Sequence, residues 1–343
     1  MGWRIGSIAG VPLYVAKSWP VGALLIGWVY YVSFAAMLAT QQAVIVSALA
    51  VVVLFLSVLV HEVSHGIAGR VMKRPPESYT LTLFGGHTTF RNPDPSPGTM
   101  AIISLAGPLA NLLLAGLAWA GSGLPGVGPY LMPVAIVNLV LGLFNLAPGM
   151  PMDGGYIVAA LGWYATDSRE KGMIVSGWTG RGIAILIAVG AGTSLALSGG
   201  QSSGGLWMLL IAVFLWSGAS RSIQVARARQ SVSHVDLRPL MMPTAAIEIT
   251  RTIRDIPPSG AVLVDRGWPV AYVPIQNLTP GLDPNAPATA VSIVVPRTNV
   301  LTTSAGADAV AAVAGAKGDI VVLSEGGYYW VGSVRQIAAR VGR

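Results

Sequence analysis

The first two thirds of the chain alternate between long apolar blocks and short polar or glycine-containing segments. The apolar blocks occupy residues 19–40, 42–69, 98–121, 128–148, 181–199 and 205–221. A helix of about twenty apolar residues crosses a bilayer, so the pattern predicts an α-helical polytopic membrane protein with about six transmembrane helices. Residues 237–343 instead alternate short Val, Ile and Leu runs with Gly, Pro, Asp and Arg, which predicts a cytosolic α/β domain. We therefore expect two domains, residues 1–236 and 237–343.

Composition supports a membrane protein and excludes an ordinary soluble enzyme. Of the 343 residues, 53% are hydrophobic and only 10% are charged, whereas a typical soluble domain has about 25% charged residues. The net charge of +7 does not indicate nucleic-acid binding, because the basic residues lie singly or in small groups at the ends of apolar blocks. Arg is much commoner than Lys, and Ala and Gly are abundant, which favours a prokaryotic source.

Lys and Arg in the first domain are confined to one side of the predicted spans. They precede span one or follow spans two, four and six, and the loops after spans one, three and five contain none. Short cytosolic loops carry the excess of Lys and Arg in membrane proteins. We therefore expect a multi-pass protein of the plasma membrane with both termini in the cytosol. A cleaved signal peptide is not expected, since the first apolar block has the length of a span.

Ionisable residues are rare within or at the edges of these spans, and three of them are contiguous. The acidic residues there are Glu62 and Asp153, and the histidines are His61 and His65. The sequence His-Glu-Val-Ser-His places two imidazoles one turn apart on one helix face, with a carboxylate beside them. Two neutral imidazoles can hold part of a tetrahedral Zn²⁺ site, and the carboxylate can take a proton from a water that zinc activates. The alternative, a solvated helix face, would leave polar groups in hydrocarbon without compensation.

The third metal ligand must be found among His, Asp and Glu, because the chain contains no cysteine. Asp153 is the candidate, since it lies in the segment 145–155, where two prolines and three glycines interrupt the fourth span. A broken backbone is tolerated at membrane depth only where it is buried in protein or lines an aqueous cavity. Asp153 can therefore turn back towards the histidines. The alternative is that Asp153 only caps the helix that follows it.

Three motifs in this order resemble the signatures of the site-2 protease family of intramembrane zinc metalloproteases. They are His61–His65 in the second span, Ala106-Gly-Pro-Leu-Ala-Asn111 in the third, and Asn145–Gly155 after the fourth. The resemblance covers about residues 1–225. It implies one Zn²⁺ per chain held by His61, His65 and Asp153, with Glu62 as the general base. It also implies that Asn145 lies near the substrate and that Asn111 supports the core, although Asn111 could equally bond only to a neighbouring helix.

The same resemblance implies an activity and a substrate class. The protein is expected to be a zinc metalloendopeptidase that cleaves a transmembrane segment of a single-span membrane protein. Regulated intramembrane proteolysis of a regulator, such as an anti-sigma factor, is the implied setting.

Residues 79–90 are expected to form a β-hairpin beside the site. Two short alternating segments flank Gly85 and Gly86, which predicts strands joined by a Gly-Gly turn. The resemblance implies a membrane-associated hairpin whose edge pairs with an unwound substrate. Gly85, Gly86 and His87 are therefore candidate substrate-binding residues, together with Asn145. A plain cytosolic hairpin is the alternative.

His87 has three interpretations. It is either an exposed strand residue, a residue that contacts substrate or gates the site, or an additional metal contact in a closed state. We do not include it among the metal ligands.

The C-terminal domain resembles a pair of cystathionine-β-synthase-type (CBS) repeats. The segments that carry this resemblance are Leu240–Pro243 with Ala261–Val273, and then Asp319–Ser333. It implies a regulatory or dimerising cytosolic module, and hence a homodimer formed through this domain. A purely structural cytosolic cap is the alternative.

Nucleotide binding by this domain is not favoured. CBS pairs that bind adenine nucleotides commonly use a hydroxyl residue and an Asp early in the last helix of a repeat. Here Pro274 and Asn277 stand at those positions in the first repeat, and Arg335 and Ala338 in the second.

Two other classes of function remain. A CBS-regulated metal or ion transporter would use the His and Asp residues as transport ligands and would need further polar residues along a path across the membrane. A catalytically silent scaffold would bind partner helices, but it would not require Glu62.

Overall fold

The computed structural model describes residues 2–82, 85–90, 96–200 and 202–341. Contacts between residues divide the chain into two compact units, Met1–Ala226 and Arg227–Arg343. The division falls within a helix, before the sequence boundary placed at residue 236. Each unit is described by itself below.

The first unit is built mainly from helices. They are α1 (Trp19–Ala35), α2 (Thr40–Val71), α3 (Pro97–Gly121), α4 (Gly128–Asn145), α5 (Asp153–Thr166), α6 (Arg169–Leu197) and α7 (Ser203–Ser231), the last of which continues into the second unit. Among the described residues, α2, α3, α6 and α7 are long and apolar enough to cross a membrane. Helix α1 and residues Tyr130–Asn145 of α4 are apolar but shorter. Each predicted apolar block thus overlaps a helix, and a count of six spans remains a prediction.

Burial in α2 is inverted relative to a soluble protein. Its buried residues are small or polar, namely Ala43, Ser47, Ser57, His61, Glu62, His65, Gly66 and Gly69. Large apolar residues such as Leu56 and Ile67 are more than half exposed. Small residues allow helices to approach closely, and polar groups in a bilayer must find partners inside the bundle. The pattern is therefore that of a helix whose apolar surface faces lipid.

A four-stranded sheet packs against the first two helices. Its strands are β1 (Trp3–Ile8), β2 (Val11–Val15), β3 (Pro76–Thr82) and β4 (Gly85–Phe90), in the order β1-β2-β3-β4. Strands β2 and β3 are parallel and the other pairs are antiparallel. Apolar residues of β2 and β3, including Leu13 and Leu81, are buried against Trp19 and Phe55. The sequence analysis did not predict β1 or β2. The residues of β1 are almost all exposed and show no buried alternation, whereas the five residues of β2 alternate between buried and half-buried.

The predicted hairpin is present as β3 and β4, but the predicted Gly-Gly turn is wrong. Leu81 pairs with Gly86 and Thr82 pairs with Gly85, so both glycines lie within β4. Leu83 and Phe84, which connect the two strands, lie outside the described residues. Gly86 lies within the strand because β4 passes close to α2 at this residue, and a side chain there would collide with Glu62, as described below.

The second unit is rich in β-strands and contains two similar sheets. The first sheet has the order β6-β7-β8-β9 and the second β10-β11-β12-β5. Their strands are β5 (Met242–Pro243), β6 (Ala246–Glu248), β7 (Ala261–Asp265), β8 (Trp268–Val273), β9 (Ile293–Val294), β10 (Val300–Leu301), β11 (Ile320–Glu325) and β12 (Tyr328–Ser333). Two helices, α8 (Gly306–Ala314) and α9 (Val334–Val341), accompany the second sheet.

Both sheets have the same internal order of pairing. A parallel pair is followed by an antiparallel hairpin, and a short strand then pairs with the outer side of that hairpin. Val262 of β7 and Val322 of β11 meet in one shared apolar cluster. Since strands buried on both faces read as continuous apolar runs, this packing explains the Val- and Leu-rich segments of the sequence.

Candidate active site

Helix α2 and the start of α5 bring three metal-ligating side chains together. His61 and His65 lie one turn apart on α2 and are buried. The Nε2 atoms of the two rings are 3.1 Å apart. Asp153 Oδ2 lies 2.9 Å from His61 Nε2 and 3.4 Å from His65 Nε2. Three ligand atoms therefore converge on one point.

The segment before α5 is held in place by α6. The Met150 N–H donates to the Ser176 carbonyl oxygen, at 3.2 Å. The Ser176 hydroxyl donates to the Gly155 carbonyl oxygen, at 2.6 Å. Asp153 is the first residue of α5, where a negative charge is favourable. Its carboxylate nevertheless faces the two imidazoles, so capping alone does not describe its position.

Hydrogen bonds on the far side of each ring determine which nitrogen carries the proton. His61 Nδ1 lies 2.5 Å from Asn111 Oδ1, and His65 Nδ1 lies 2.6 Å from the Ile103 carbonyl oxygen. Both partners are acceptors, so each Nδ1 must be the N–H donor. In the neutral rings, the two Nε2 atoms then present lone pairs to each other and to Asp153. A cation placed between these acceptors would be stabilised by all three of them.

The donor set fits zinc. Two His nitrogens and one carboxylate oxygen are the protein ligands of a catalytic zinc site, and ligands of a tetrahedral zinc ion lie roughly 3.3 Å apart. The observed separations of 2.9, 3.1 and 3.4 Å lie around that value. Gly107 of α3 faces the same point, and a Cβ atom there would lie 2.6 Å or less from both Nε2 atoms. The glycine therefore leaves the space that an ion would need.

A buried polar network supports His61 from behind. Asn111 donates through Nδ2 to Asn138 Oδ1 at 2.7 Å and to the Ser57 carbonyl oxygen at 3.3 Å. Asn138 Nδ2 in turn donates to Ser57 Oγ at 2.9 Å. Asn111 is fully buried and Asn138 almost so. The sequence analysis missed Asn138 and Ser57, because it searched the spans only for ionisable groups. An amide inside an apolar span was the available signal.

Glu62 lies between the candidate metal ligands and the edge of the sheet. It is buried, and its Oε2 lies 2.8 Å from the Thr88 hydroxyl of β4. The same hydroxyl is 3.0 Å from the Glu62 main-chain oxygen, so its single proton can go to either acceptor. A Cβ atom at Gly86 would lie 2.5 Å from Glu62 Cγ. Gly86 is thus placed where β4 touches the candidate base.

An open cavity of about 450 Å³ gives access to this cluster. Its lining includes Glu62, His65, Asp153, Gly86 and His87. His87 is exposed and no bond joins it to the ligand cluster among the described contacts, so it contributes to the cavity wall.

Two further candidates lie apart from the ligand cluster. Asn145 Nδ2 donates to the Leu141 carbonyl oxygen, one turn earlier in its own helix, at 3.0 Å. Gly85 is not among the cavity-lining residues; it lines a separate apolar cavity next to Trp19 and Leu81. The substrate-binding roles of Asn145, Gly85, Gly86 and His87 remain predictions.

Comparisons with known proteins point to the same chemistry. Residues 49–128, which contain the first two motifs, match the model of peptidase family M50. The chain is similar to sll0528 of Synechocystis sp., whose name describes a zinc metalloprotease, with 29% identity over 251 residues, 71% of this chain and 65% of the relative. It is also similar to Rip3 of Mycobacterium tuberculosis, which is likewise named a zinc metalloprotease. The identity is 34% over 230 residues, and the match covers 63% of this chain and 57% of that protein. The matches thus span less than two thirds of either relative.

A solved structure was also found, the site-2 protease from Methanocaldococcus jannaschii. It has a TM-score of 0.46 and 24% sequence identity, and the match covers 65% of this chain and 95% of that chain. The family model that matches part of this chain is thus a peptidase family, and both named relatives carry the name zinc metalloprotease.

We predict that Asn111→Ala weakens zinc binding by about 10- to 100-fold, the usual cost of losing a partner that orients a metal-binding His. The substitution removes the acceptor for the His61 Nδ1 proton and so releases the ring. Zinc content should be measured after equilibration of the purified protein with graded chelator buffers.

Asn145→Ala is the matched control, because that amide bonds only within its own helix in the described contacts. It should retain zinc like the unmodified protein. Equal zinc retention by the Asn111 variant would show that Asn111 does not orient the ligand.

Proposed function

We propose that this protein is an intramembrane zinc metalloendopeptidase of the site-2 protease type. Its substrate would be the transmembrane segment of a single-span membrane protein, cleaved in regulated intramembrane proteolysis, with an anti-sigma factor as one example. The observation that supports this most strongly is the convergence of His61 Nε2, His65 Nε2 and Asp153 Oδ2 beside the buried carboxylate of Glu62.

Each residue of the cluster has a distinct part in the proposed reaction. His61, His65 and Asp153 would hold one zinc ion per chain. When bound, zinc supplies Lewis-acid activation of a water and of a peptide carbonyl. Glu62 accepts a proton from the attacking water and later donates it to the leaving amine. The Thr88 hydroxyl, 2.8 Å from Glu62 Oε2, holds the carboxylate in position for both transfers.

The edge of the sheet supports a mode of substrate binding. Strand β4 is the last strand of its sheet, and its outer edge pairs with no other described strand. A substrate helix must unwind before its peptide bonds can be attacked, and an unwound segment can add to such an edge as a further strand. Thr88 connects this strand directly to Glu62. An added strand would therefore lie next to the candidate base.

The proposed site lies inside the membrane, near its basic side. His61 precedes Arg70 by nine residues of the same helix, which places it roughly 13 Å from that end of the span. The open cavity offers a path for water to this depth. The proposal includes a multi-pass protein of the plasma membrane with six spans and both termini in the cytosol.

A metal or ion transporter is less well supported. From Lys171 to Ser233, the chain contains no Asp, Glu or His. Beyond Glu170 in the first turn of α6, helices α6 and α7 therefore offer no carboxylate or imidazole for a path across the membrane.

For the second unit, we infer a CBS-like pair that acts as a regulatory or dimerising module. The support is the repeated sheet pattern, in which β5 precedes the first repeat but pairs with β12 of the second, and β9 pairs with β8 of the first. The first repeat has only short 3₁₀ turns, Ile253–Asp255 and Ile275–Asn277, where the second has α8 and α9. The first repeat thus departs further from a CBS repeat, because it lacks the two α-helices of the second.

We predict that loss of the Glu62 carboxylate, in Glu62→Gln, reduces cleavage of a single-span reporter by about 10²- to 10⁴-fold, the usual contribution of a general base. The amide keeps the size of the side chain but cannot accept the proton. Zinc content should stay at that of the unmodified protein, and both should be measured on the same preparations.

Glu77→Gln, which removes an exposed carboxylate from β3, serves as the control and should cleave normally. The mechanism would be overturned by equal cleavage in the Glu62 variant or by an active protein that contains no metal.

We predict that Gly86→Ala lowers kcat by about 100-fold, as expected for a small displacement of a reacting group, with zinc content unchanged. The added Cβ would lie 2.5 Å from Glu62 Cγ and 2.7 Å from Oε1, so Glu62 must move. Gly98→Ala is the control, because no atom lies within 4 Å of a Cβ at that position. Unchanged kcat in Gly86→Ala would argue against the placement of β4 beside the base.

We predict that AMP and ATP do not raise the Tm of the full chain. A nucleotide that bound the folded protein would raise the Tm measurably at a concentration far above its Kd, so the Tm reports binding. The residues at the expected contact positions are engaged internally. Asn277 Nδ2 donates to the Val291 carbonyl oxygen, and the Arg335 main-chain N–H donates to Asp319 Oδ1. The latter bond lowers the pKa of Asp319. A nucleotide-dependent rise in Tm would contradict this inference.

A further inference from the structure

Arg181 of α6 is held in a pocket between two helices, far from the catalytic cluster in sequence. Its Nε and Nη2 both donate to the Ser220 hydroxyl of α7, at 3.1 and 2.9 Å. Its guanidinium carbon lies 4.8 Å from the centre of the Trp178 ring and 4.7 Å from that of Trp216. A cation over an indole face is stabilised by the ring quadrupole. The guanidinium is therefore positioned by four contacts from two helices.

The charge of Arg181 has no protein counter-ion in the described part of the chain. The ion pairs among residues 2–82, 85–90, 96–200 and 202–341 do not include it. From Lys171 to Val235 the sequence has five Lys and Arg residues and no Asp or Glu. A fixed cation in an apolar helix pair without an anion is costly unless an anion comes from outside the chain.

The pocket lies at one end of the apolar part of both helices. Arg181 and Ser198, which follows α6, are separated by about 25 Å of helix, close to the thickness of a hydrocarbon core. Ser220 is followed directly by Arg221, the first basic residue of α7. Trp178 and Trp216 are 52% and 43% exposed, so their rings lie on the outer surface of the helix pair. Exposed Trp beside Arg is typical of the level of the lipid headgroups.

The unused donors of Arg181 define the chemistry of its ligand. A guanidinium has five N–H donors, and Ser220 engages one from Nε and one from Nη2. The remaining three include both protons of Nη1. A planar pair of donors fits a phosphate or carboxylate through two parallel hydrogen bonds. At headgroup level the abundant anion of this kind is a phosphodiester.

We propose that Arg181, with Trp178, Trp216 and Ser220, binds the phosphate group of an anionic phospholipid at the basic boundary of the membrane. The indole faces contact the glycerol and upper acyl carbons, and the guanidinium pairs with the phosphate. This site is independent of the proposed proteolytic activity and requires only that α6 and α7 lie in a membrane.

The test is lipid binding by the purified full chain in detergent, followed by native mass spectrometry. The protein is titrated with phosphatidylglycerol and, separately, with phosphatidylcholine. The unmodified chain should bind the first phosphatidylglycerol molecule more tightly than the first phosphatidylcholine. Arg181→Gln should weaken that phosphatidylglycerol affinity by about tenfold, the effect of losing a charge-assisted hydrogen bond.

Arg221→Gln is the matched control, because it removes an equal charge at the same level, next to Ser220, from an exposed position. Its affinity for phosphatidylglycerol should change by less than about twofold, as expected for a screened surface charge. An equal loss in both variants would show only diffuse electrostatic attraction and would overturn the site. No loss in Arg181→Gln would overturn it as well.

Two conservative variants keep the test decisive if Arg181→Gln does not fold. Arg181→Lys keeps the charge but loses the planar fork and should bind with intermediate affinity. Ser220→Ala removes the hydroxyl that orients the guanidinium and should also weaken binding. Affinities equal to that of the unmodified chain in both variants would contradict a built pocket.

Inorganic phosphate distinguishes the two sources of the anion. If the ligand is a lipid, millimolar inorganic phosphate should not displace phosphatidylglycerol, because the lipid also contacts the indole rings. Displacement by inorganic phosphate that is abolished in Arg181→Gln, but not in Arg221→Gln, would overturn the lipid assignment in favour of a soluble phosphate.

Discussion

The structure depends on one constraint: polar groups placed inside apolar helices must all find partners within the bundle. His61 and His65 meet it by donating from Nδ1 to Asn111 and to the Ile103 carbonyl oxygen. These bonds turn both Nε2 atoms towards Asp153, where a cation can be held by all three side chains. The catalytic chemistry proposed here follows from that arrangement, because the same bonds that stabilise the buried rings also orient their Nε2 atoms towards one point.

The same constraint connects the sheet to the helices. Glu62 is buried on α2, and Thr88 on β4 is the described side chain that bonds to its carboxylate. Strand β4 can approach this closely because residue 86 is a glycine. The unpaired outer edge of β4 and the candidate base are therefore parts of one arrangement.

Small residues decide where the helices of the first unit meet. Gly107 of α3 opposes the two imidazoles, and Gly177 and Gly180 of α6 face Ile223 and Ala219 of α7. Close approach at these points leaves the large apolar side chains on the outer surface, where lipid can cover them. Arg181 is an exception on that surface, and its contacts with two indole rings and a hydroxyl orient the guanidinium without neutralising its charge.

Features that depend on local spacing could be predicted from the amino-acid sequence. Helix periodicity placed His61, Glu62 and His65 on adjacent faces of one apolar helix, and the rarity of ionisable groups in the spans singled out Asp153. The interrupted segment before α5 and the two-part organisation were also visible in the pattern. Each of these follows from residues that are neighbours along the chain or from the cost of charge in hydrocarbon.

The distant residues that surround the site became apparent from the folded structure. Asn138 and Ser57 support Asn111 through bonds between α2, α3 and α4, and Thr88 reaches Glu62 across the sheet edge. The pairing of β2 with β3 likewise depends on packing against α1 and α2. A single sequence does not show such contacts, because the energy of a buried polar pair depends on the distance and orientation of groups that folding brings together.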